Sequence, residues 1–305
     1  MSSKSQLWAK VSPWQRWREE LVLRALFICA LISVFTTLGI IYILFGESLQ
    51  FFAHVSPLDF FFGREWAPMF EPRSFGVLPL VSGTMLIAVG ALVIALPLGV
   101  GIAIYTAEYA TGRWQKILKP TLEILAGIPS VVYGYFALNK ITPLLQAIYP
   151  DTEVFNAASA SLVIAIMILP TIASICDDSI RAVPKAVRDG AYALGTRKSE
   201  VIAHIVVPSA LSGILASFIL AFSRAIGETM AVTLAAGATP KLTLNPFEGV
   251  QAMTAYIAQV SMGDVSHGSI EYQSIFAVGL VLFLMTLGMN LLSQFIVKRY
   301  ARKYE

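Results

Sequence analysis

The chain has 305 residues, 56% of them hydrophobic and only 13% charged, with a formal net charge of +3 and a mean hydropathy of +0.71. A soluble domain carries about 25% charged residues, and no soluble core of this length can hide so much apolar surface. That excludes a soluble globular protein, leaves an all-α membrane protein with several spans, and gives no basis for a nucleic-acid partner.

The N-terminal residues hold tryptophans and acids instead of an apolar signal core. No small-residue cleavage site follows the first apolar run, so that run reads as a retained span. Ser12, Pro13 and Gln15 make a capping-box start with proline at the first helical position. With Trp14, Arg16, Trp17 and Arg18 behind it, the segment reads either as a short helix lying in the inner interface or as a basic anchor that sets topology.

Apolar runs long enough to cross the hydrocarbon lie at about 21–45, 82–107, 120–148, 157–177, 208–238 and 274–297, predicting six transmembrane helices. With the N-terminus inside, seventeen of the 22 Lys and Arg residues fall in inner segments and four (Arg64, Arg73, Lys140, Lys241) outside. One more, Arg224, sits within a span. This asymmetry predicts an inner-membrane protein with both termini cytoplasmic. All five tryptophans lie outside the apolar cores, where an interfacial belt places them. The organisation expected is an N-terminal part and outer loop (1–81), a core of membrane helices (82–297) and a basic tail (298–305).

Cys29 and Cys176 lie in or at the end of apolar runs, no CxxC exists, and His54, His204 and His267 are scattered. Neither a disulfide nor a metal site is expected. The long outer loops, 46–81 and 239–273, are punctuated by Pro57, Pro68, Pro72, Pro79, Pro240 and Pro246. They read either as a docking surface for an extracytoplasmic partner or as caps over the outer mouth.

The third span carries Gly127-Ile128-Pro129-Ser130-Val131-Val132-Tyr133-Gly134. Pro129 removes a backbone donor and frees a carbonyl one turn back, a break tolerated at membrane depth only where protein or water satisfies it. Ser130 and Tyr133 then offer hydroxyls to a path, or the break is a packing kink. Glu123 is expected to pair with Lys119 near the inner surface, and Asp177 and Asp178 to solvate the inner mouth beside Arg181.

The fifth span carries Ser223-Arg224-Ala225-Ile226-Gly227-Glu228-Thr229-Met230. On an unbroken helix Arg224 and Glu228 share a face. Ionisable groups at such depth mark pathways by default. One reading has Arg224 offering its planar donor fork to a passing oxyanion while Glu228 holds the guanidinium. The other is a neutral pair fixing helix packing.

Between the fourth and fifth spans runs Arg188-Asp189-Gly190-Ala191-Tyr192-Ala193-Leu194-Gly195, followed after nine residues by Ile205-Val206-Val207-Pro208. Small residues (Gly190, Ala191, Ala193, Gly195) permit another protein to approach closely. Lys185, Arg188, Arg197 and Lys198 keep the loop out of lipid. Gly190 and Gly195 have the spacing of a phosphate loop, but Thr196 stands where lysine is needed and no strand precedes it. Energy must therefore come from a partner.

This loop resembles the EAA loop of ABC importer permeases, with matching spacing and three departures: Asp189 for Glu, Gly190 for Ala and Val207 for Leu. Together with the runs Gly127–Gly134 and Arg224–Val232, nearly the whole chain resembles phosphate ABC transporter permeases. The Met230-Ala231-Val232 continuation is similar to the PstC-type subunit. The resemblance implies the type I importer permease fold and import of inorganic phosphate at the expense of ATP. It implies as partners a homologous PstA-type permease, two ATPase subunits that bind ATP and Mg, and a periplasmic phosphate-binding protein. This chain itself would hold no cofactor. The resemblance points to Arg224 and Glu228 as residues that matter for transport, and with Thr229, Pro129 and Ser130 these are the candidates for the substrate path. Those implied for ATPase coupling are Asp189, Gly190, Ala191, Gly195 and Pro208. Rival readings are a permease for sulfate or molybdate, and an ion-coupled secondary transporter using Glu228 or Glu123. The loop spacing opposes the latter.

Overall fold

A computed structural model describes residues 13–301. Among the described residues its regular elements are all helices apart from one two-residue strand pair. Helix α1 (Pro13–His54) runs unbroken for 42 residues, about 63 Å at 1.5 Å per residue and twice the hydrocarbon thickness. A separate interfacial helix is therefore not formed. The tract with Trp14 and Trp17 continues the span, because no breaker lies between Pro13 and His54, and the Ser12 cap lies outside the described residues. Along its most apolar stretch α1 buries nothing.

The outer loop 46–81 is a compact cap. It contains α2 (Pro57–Phe62) and the antiparallel pair β1 (Trp66–Ala67) and β2 (Ser74–Phe75). Phe51, Phe60, Trp66 and Phe75 meet edge to face, and Trp66 stacks perpendicular to Tyr256 with centroids 4.9 Å apart. Trp66 is 4% exposed. It belongs to this outer core and not to an interfacial belt, a placement set by aromatic partners 190 positions away in the chain (Tyr256).

Helix α3 (Leu78–Ile104) continues into a π-helical turn, Tyr105–Tyr109, and forms the second span. The predicted third span is two pieces. Helix α4 (Gly112–Gly127) and the chain Ser130–Ile148, comprising α5 (Ser130–Phe136), a π-helical turn and α6 (Thr142–Ile148), meet at 92°. Helix α7 (Ala157–Ala182) is the central span, starting at Asn156, whose side chain accepts from the Ser159 amide at 2.7 Å. It packs against α3 through small residues. Ala88, Ala91 and Ala95 are fully buried, and a Cβ on Gly99 would lie 2.6 Å from Ile172 Cγ2. Close backbone approach substitutes for the hydrophobic effect, which is absent between helices in lipid.

The inner loop forms α8 (Lys185–Ala193), α9 (Lys198–Val201), a π-helical turn and α10 (Val207–Ser209). Helix α11 (Leu211–Gly227) follows at 66° to the Lys198–Ser209 segment. The predicted fifth span, 208–238, is interrupted: α11 ends at Gly227 and α12 (Met230–Ala236) begins after a two-residue break. Helix α13 (Met253–Met262) lies in the outer loop, and α14 (Ile270–Ala301) is the last span. By length and composition four described helices can cross a membrane, and six crossings result if each bent pair counts as one.

Candidate functional site

Two breaks at membrane depth define the first part of the site. At Ile128 and Pro129 the backbone is extended, which separates α4 from α5. Pro129 has no amide to give the Leu125 carbonyl, which accepts instead from the Tyr133 hydroxyl at 2.8 Å and from the Ile128 amide at 3.4 Å. Tyr133 is 5% exposed, so its hydroxyl serves the backbone and does not face a path. Ser130 is half-buried at the first turn of α5, and Pro129 is exposed.

The second break is at Glu228 and Thr229. Glu228 is extended, with φ −70° and ψ 131°, so it does not share a helix face with Arg224. The expected ion pair is replaced by other contacts. Glu228 Oε1 accepts from the Ala231 amide at 3.3 Å, capping α12, and its carbonyl accepts from Thr254 Oγ1 at 2.8 Å. Thr229 Oγ1 donates back to the Gly227 carbonyl at 3.3 Å. Arg224 is exposed and donates to Thr171 Oγ1 at 3.1 Å, and no carboxylate pairs with it among the described residues. The elements that follow the two breaks touch: a Cβ on Gly134 of α5 would lie 2.8 Å from Leu234 Cβ and 3.1 Å from Ala231 Cα of α12. Thr171 also lines a cavity of about 310 Å³ between α4 and α7, with Lys119, Glu123, Ala126, Ser174 and Asp177 on its wall.

The second part is the elbow at the inner end. Helix α8 stops at Leu194, and Gly195 adopts φ +80°, the left-handed conformation that only glycine takes without cost. Its amide donates to the Tyr192 carbonyl at 2.9 Å. Thr196 Oγ1 closes the turn on the Ala191 carbonyl at 2.6 Å. Ala191 is buried, whereas Asp189 and Gly190 are exposed, and a Cβ on Gly190 would meet nothing within 4 Å. Pro208 sits half-buried in the first turn of α10. The outward surface carries Val187, Tyr192 and Leu194, the last 84% exposed.

A third set of residues is arranged differently from what the sequence suggested. Asp177 does not solvate the inner mouth: it is 4% exposed and takes three donors. These are Thr106 Oγ1 at 2.9 Å, Arg181 Nε at 2.9 Å and Lys119 Nζ at 3.1 Å. Lys119 therefore serves Asp177 and not Glu123, because the bend of α4 lays it beside α7. Glu108, 8% exposed at its side chain, pairs with Arg188 Nη1 at 2.9 Å. The available signal was an acidic residue ending an apolar run with arginine four positions on, Asp177 and Arg181. Among the described residues no group of three or more His, Cys, Asp or Glu is arranged to hold a metal.

Broken apolar helices, an exposed arginine within one of them and a helical elbow with an apolar tip belong to a multi-pass protein of the inner membrane. Residues 99–305 match the family described as "Binding-protein-dependent transport system inner membrane component", and the chain belongs to that family. It is 34% identical over 273 residues to the "Probable ABC transporter permease protein YqgH" of Bacillus subtilis, covering 89% of this chain and 88% of that one. It is 31% identical to the "Phosphate transport system permease protein PstC" of Mesorhizobium japonicum, over 79% of this chain and 78% of the relative. In fold it is similar to a chain of a bacterial alginate ABC transporter, with TM-score 0.66, 14% identity, and 95% and 98% of the two chains covered. A chain of the MetNI methionine ABC transporter matches with TM-score 0.56 at 16% identity, over 76% and 99%. The fold is thus that of ABC importer permeases, and the general function is that of an importer permease.

Proposed function

We propose that this chain is a PstC-type subunit that forms half of the translocation path for inorganic phosphate, with residues 82–297 as its permease core. The observation that carries the anion assignment is Arg224: an exposed guanidinium inside a membrane helix, bonded to a neutral hydroxyl and paired with no carboxylate among the described residues. An unneutralised arginine at such depth is costly. Its donor fork is free to meet tetrahedral oxyanions as they pass. The several relatives named PstC, at 31–33% identity, support phosphate among such anions. Glu228 and Thr229 shape the break beside Arg224, and Pro129 and Ser130 shape the opposing one.

In this reading the elbow Asp189–Pro208 seats in a groove of a separate ATPase subunit, with Tyr192 and Leu194 as its apolar contacts. Two such subunits bind ATP and Mg. A homologous PstA-type permease completes the path, and a periplasmic phosphate-binding protein docks on the outer loops. Both termini face the cytoplasm, as the distribution of Lys and Arg directs.

The test is uptake of labelled phosphate by the reconstituted complex with ATP inside, competed by sulfate. Loss of uptake in Arg224→Gln with partial recovery in Arg224→Lys supports the anion contact. Full uptake by Arg224→Gln overturns it, and equal competition by sulfate broadens the substrate to oxyanions generally.

A further inference from the structure

Both limbs of the elbow grip a single residue of the π-helical turn that continues α3. Arg188 of α8 pairs with the Glu108 carboxylate at 2.9 Å. Lys198 of α9 donates to the Glu108 carbonyl and lies 4.5 Å over the Tyr109 ring. Glu108 belongs to the π-helical turn Tyr105–Tyr109, closed by the Ala110 amide on the Tyr105 carbonyl at 2.7 Å. Such turns interrupt the α-helical ladder and recur at functional sites.

Two positions earlier the same turn grips the membrane helices. Thr106, 3% exposed, donates to Asp177 Oδ1 at 2.9 Å. Its carbonyl accepts from Arg181 Nη2 at 2.7 Å and from Gln115 Nε2 of α4 at 3.0 Å. Asp177 Oδ2 then takes Lys119 of α4 at 3.1 Å. Helix α4 buries none of its own residues. Lys119 and Gln115 are thus its polar ties to the bundle, and at its far end lies the break at Ile128 and Pro129.

We propose that the π-helical turn is the joint that passes elbow movement to the α4 break, with Glu108 as its input and Asp177 as its output. The inference rests on the elbow being the seat of the ATPase. Glu108 and Asp177 are positioning residues: neither borders Arg224, and each acts through the helix it holds. One detail favours a joint over a static staple. Glu108 Oε1 lies 2.9 Å from Arg188 Nη1 but makes no well-aligned hydrogen bond, and Arg188 Nε is buried without one. The pair is balanced in charge yet incomplete in geometry, so a second arrangement of the elbow has bonds to gain. A buried pair also transmits force in both directions, since separating it strands two charges.

The experiment uses the assembled complex with its ATPase subunits, sister permease and solute-loaded binding protein. Three quantities are read: ATPase retained on purification, hydrolysis stimulated by the loaded binding protein, and solute moved per ATP. Glu108→Gln and Asp177→Asn are each expected to retain the ATPase while transport per ATP falls roughly tenfold, a usual size for coupling between sites. The double variant is expected to be no worse than either single one, because the two act in series. Thr106→Val, which removes one hydroxyl and no charge, is expected to show the same loss with an unchanged melting temperature. Additive losses, or unchanged transport per ATP in Thr106→Val, overturn the joint. The elbow reading is tested separately by crosslinking Leu194→Cys to the ATPase. Crosslinking with intact coupling in all variants sinks only the joint, and absent crosslinking sinks the elbow.

Discussion

The Tyr133 hydroxyl donates to the Leu125 carbonyl at 2.8 Å, the shorter of the two bonds this carbonyl accepts in place of the amide Pro129 lacks, the other coming from the Ile128 amide at 3.4 Å. A side chain one turn after the break thus repairs the helix one turn before it. The right-angle bend between α4 and α5 exists at membrane depth because that bond is made.

Tyr133→Phe keeps the ring and removes the donor. Losing this bond, with only the long Ile128 contact left to the carbonyl, is expected to cost about 1 kcal/mol. In detergent this is read as a lower melting temperature, and Leu125 and its neighbours should exchange amide protons faster. An unchanged melt shows that water replaces the hydroxyl.

Gly134→Ala places a Cβ against Leu234 Cβ and Ala231 Cα, at 2.8 and 3.1 Å. Neither atom is the end of a flexible chain, so α5 and α12 must separate. The expected cost is about 1–3 kcal/mol, with loss of transport exceeding loss of folded protein. Gly101→Ala, where nothing lies within 4 Å, serves as the neutral comparison.

The two elbow glycines are expected to respond in opposite ways. Gly195→Ala must hold φ near +80° with a side chain, costing roughly 1–2 kcal/mol, and should fray α8. Gly190→Ala meets open space within α8 and gains about 1 kcal/mol of helix propensity. If the exposed face of α8 is an ATPase seat, Gly190→Ala should raise the melting temperature of the isolated permease while weakening retention of the ATPase. Tight retention with higher stability would place the contact elsewhere.

Lys241 and Glu248 pair in the outer loop 239–273. The hydrogen bond from Lys241, helped by Asn245, holds the Glu248 carboxyl below the usual carboxylate range, and the same bond raises the Lys241 ammonium. A lowered carboxylate stabilises the loop fully above its unfolded value, about 4.3, and that contribution disappears as pH falls through the folded value. The raised lysine contributes fully below about 10.4 and is lost above it. Hydrogen-exchange protection across 239–250, taken relative to the intrinsic rate at each pH, should therefore be flat between these limits and fall on the acid side. Lys241→Met should move the acid-side onset to higher pH.

Much of this protein was legible in one dimension. Six apolar runs, the bias of basic residues and the matched spacing around Asp189, Gly190 and Gly195 predict a multi-pass helical permease. The described helices and the family match agree with that class. Gly195 was readable by its spacing from Asp189 and Pro208, and the fold adds that it holds a left-handed turn after α8, which favours glycine. The break at Pro129 was readable because a missing amide is a covalent fact.

What the fold alone decided concerns partners. Glu228 caps α12 instead of pairing with Arg224, since the helix that would align them stops at Gly227. Asp177 is a buried hub because α4 turns to bring Lys119 beside α7 and the π-helical turn presents Thr106. Trp66 is core because Tyr256 meets it from another loop. Hydropathy and local spacing act along the chain, so sequence sets which segments enter the bilayer and where the backbone must break. A charge or ring is satisfied by whatever lies nearest in space, and only the packed helices settle that.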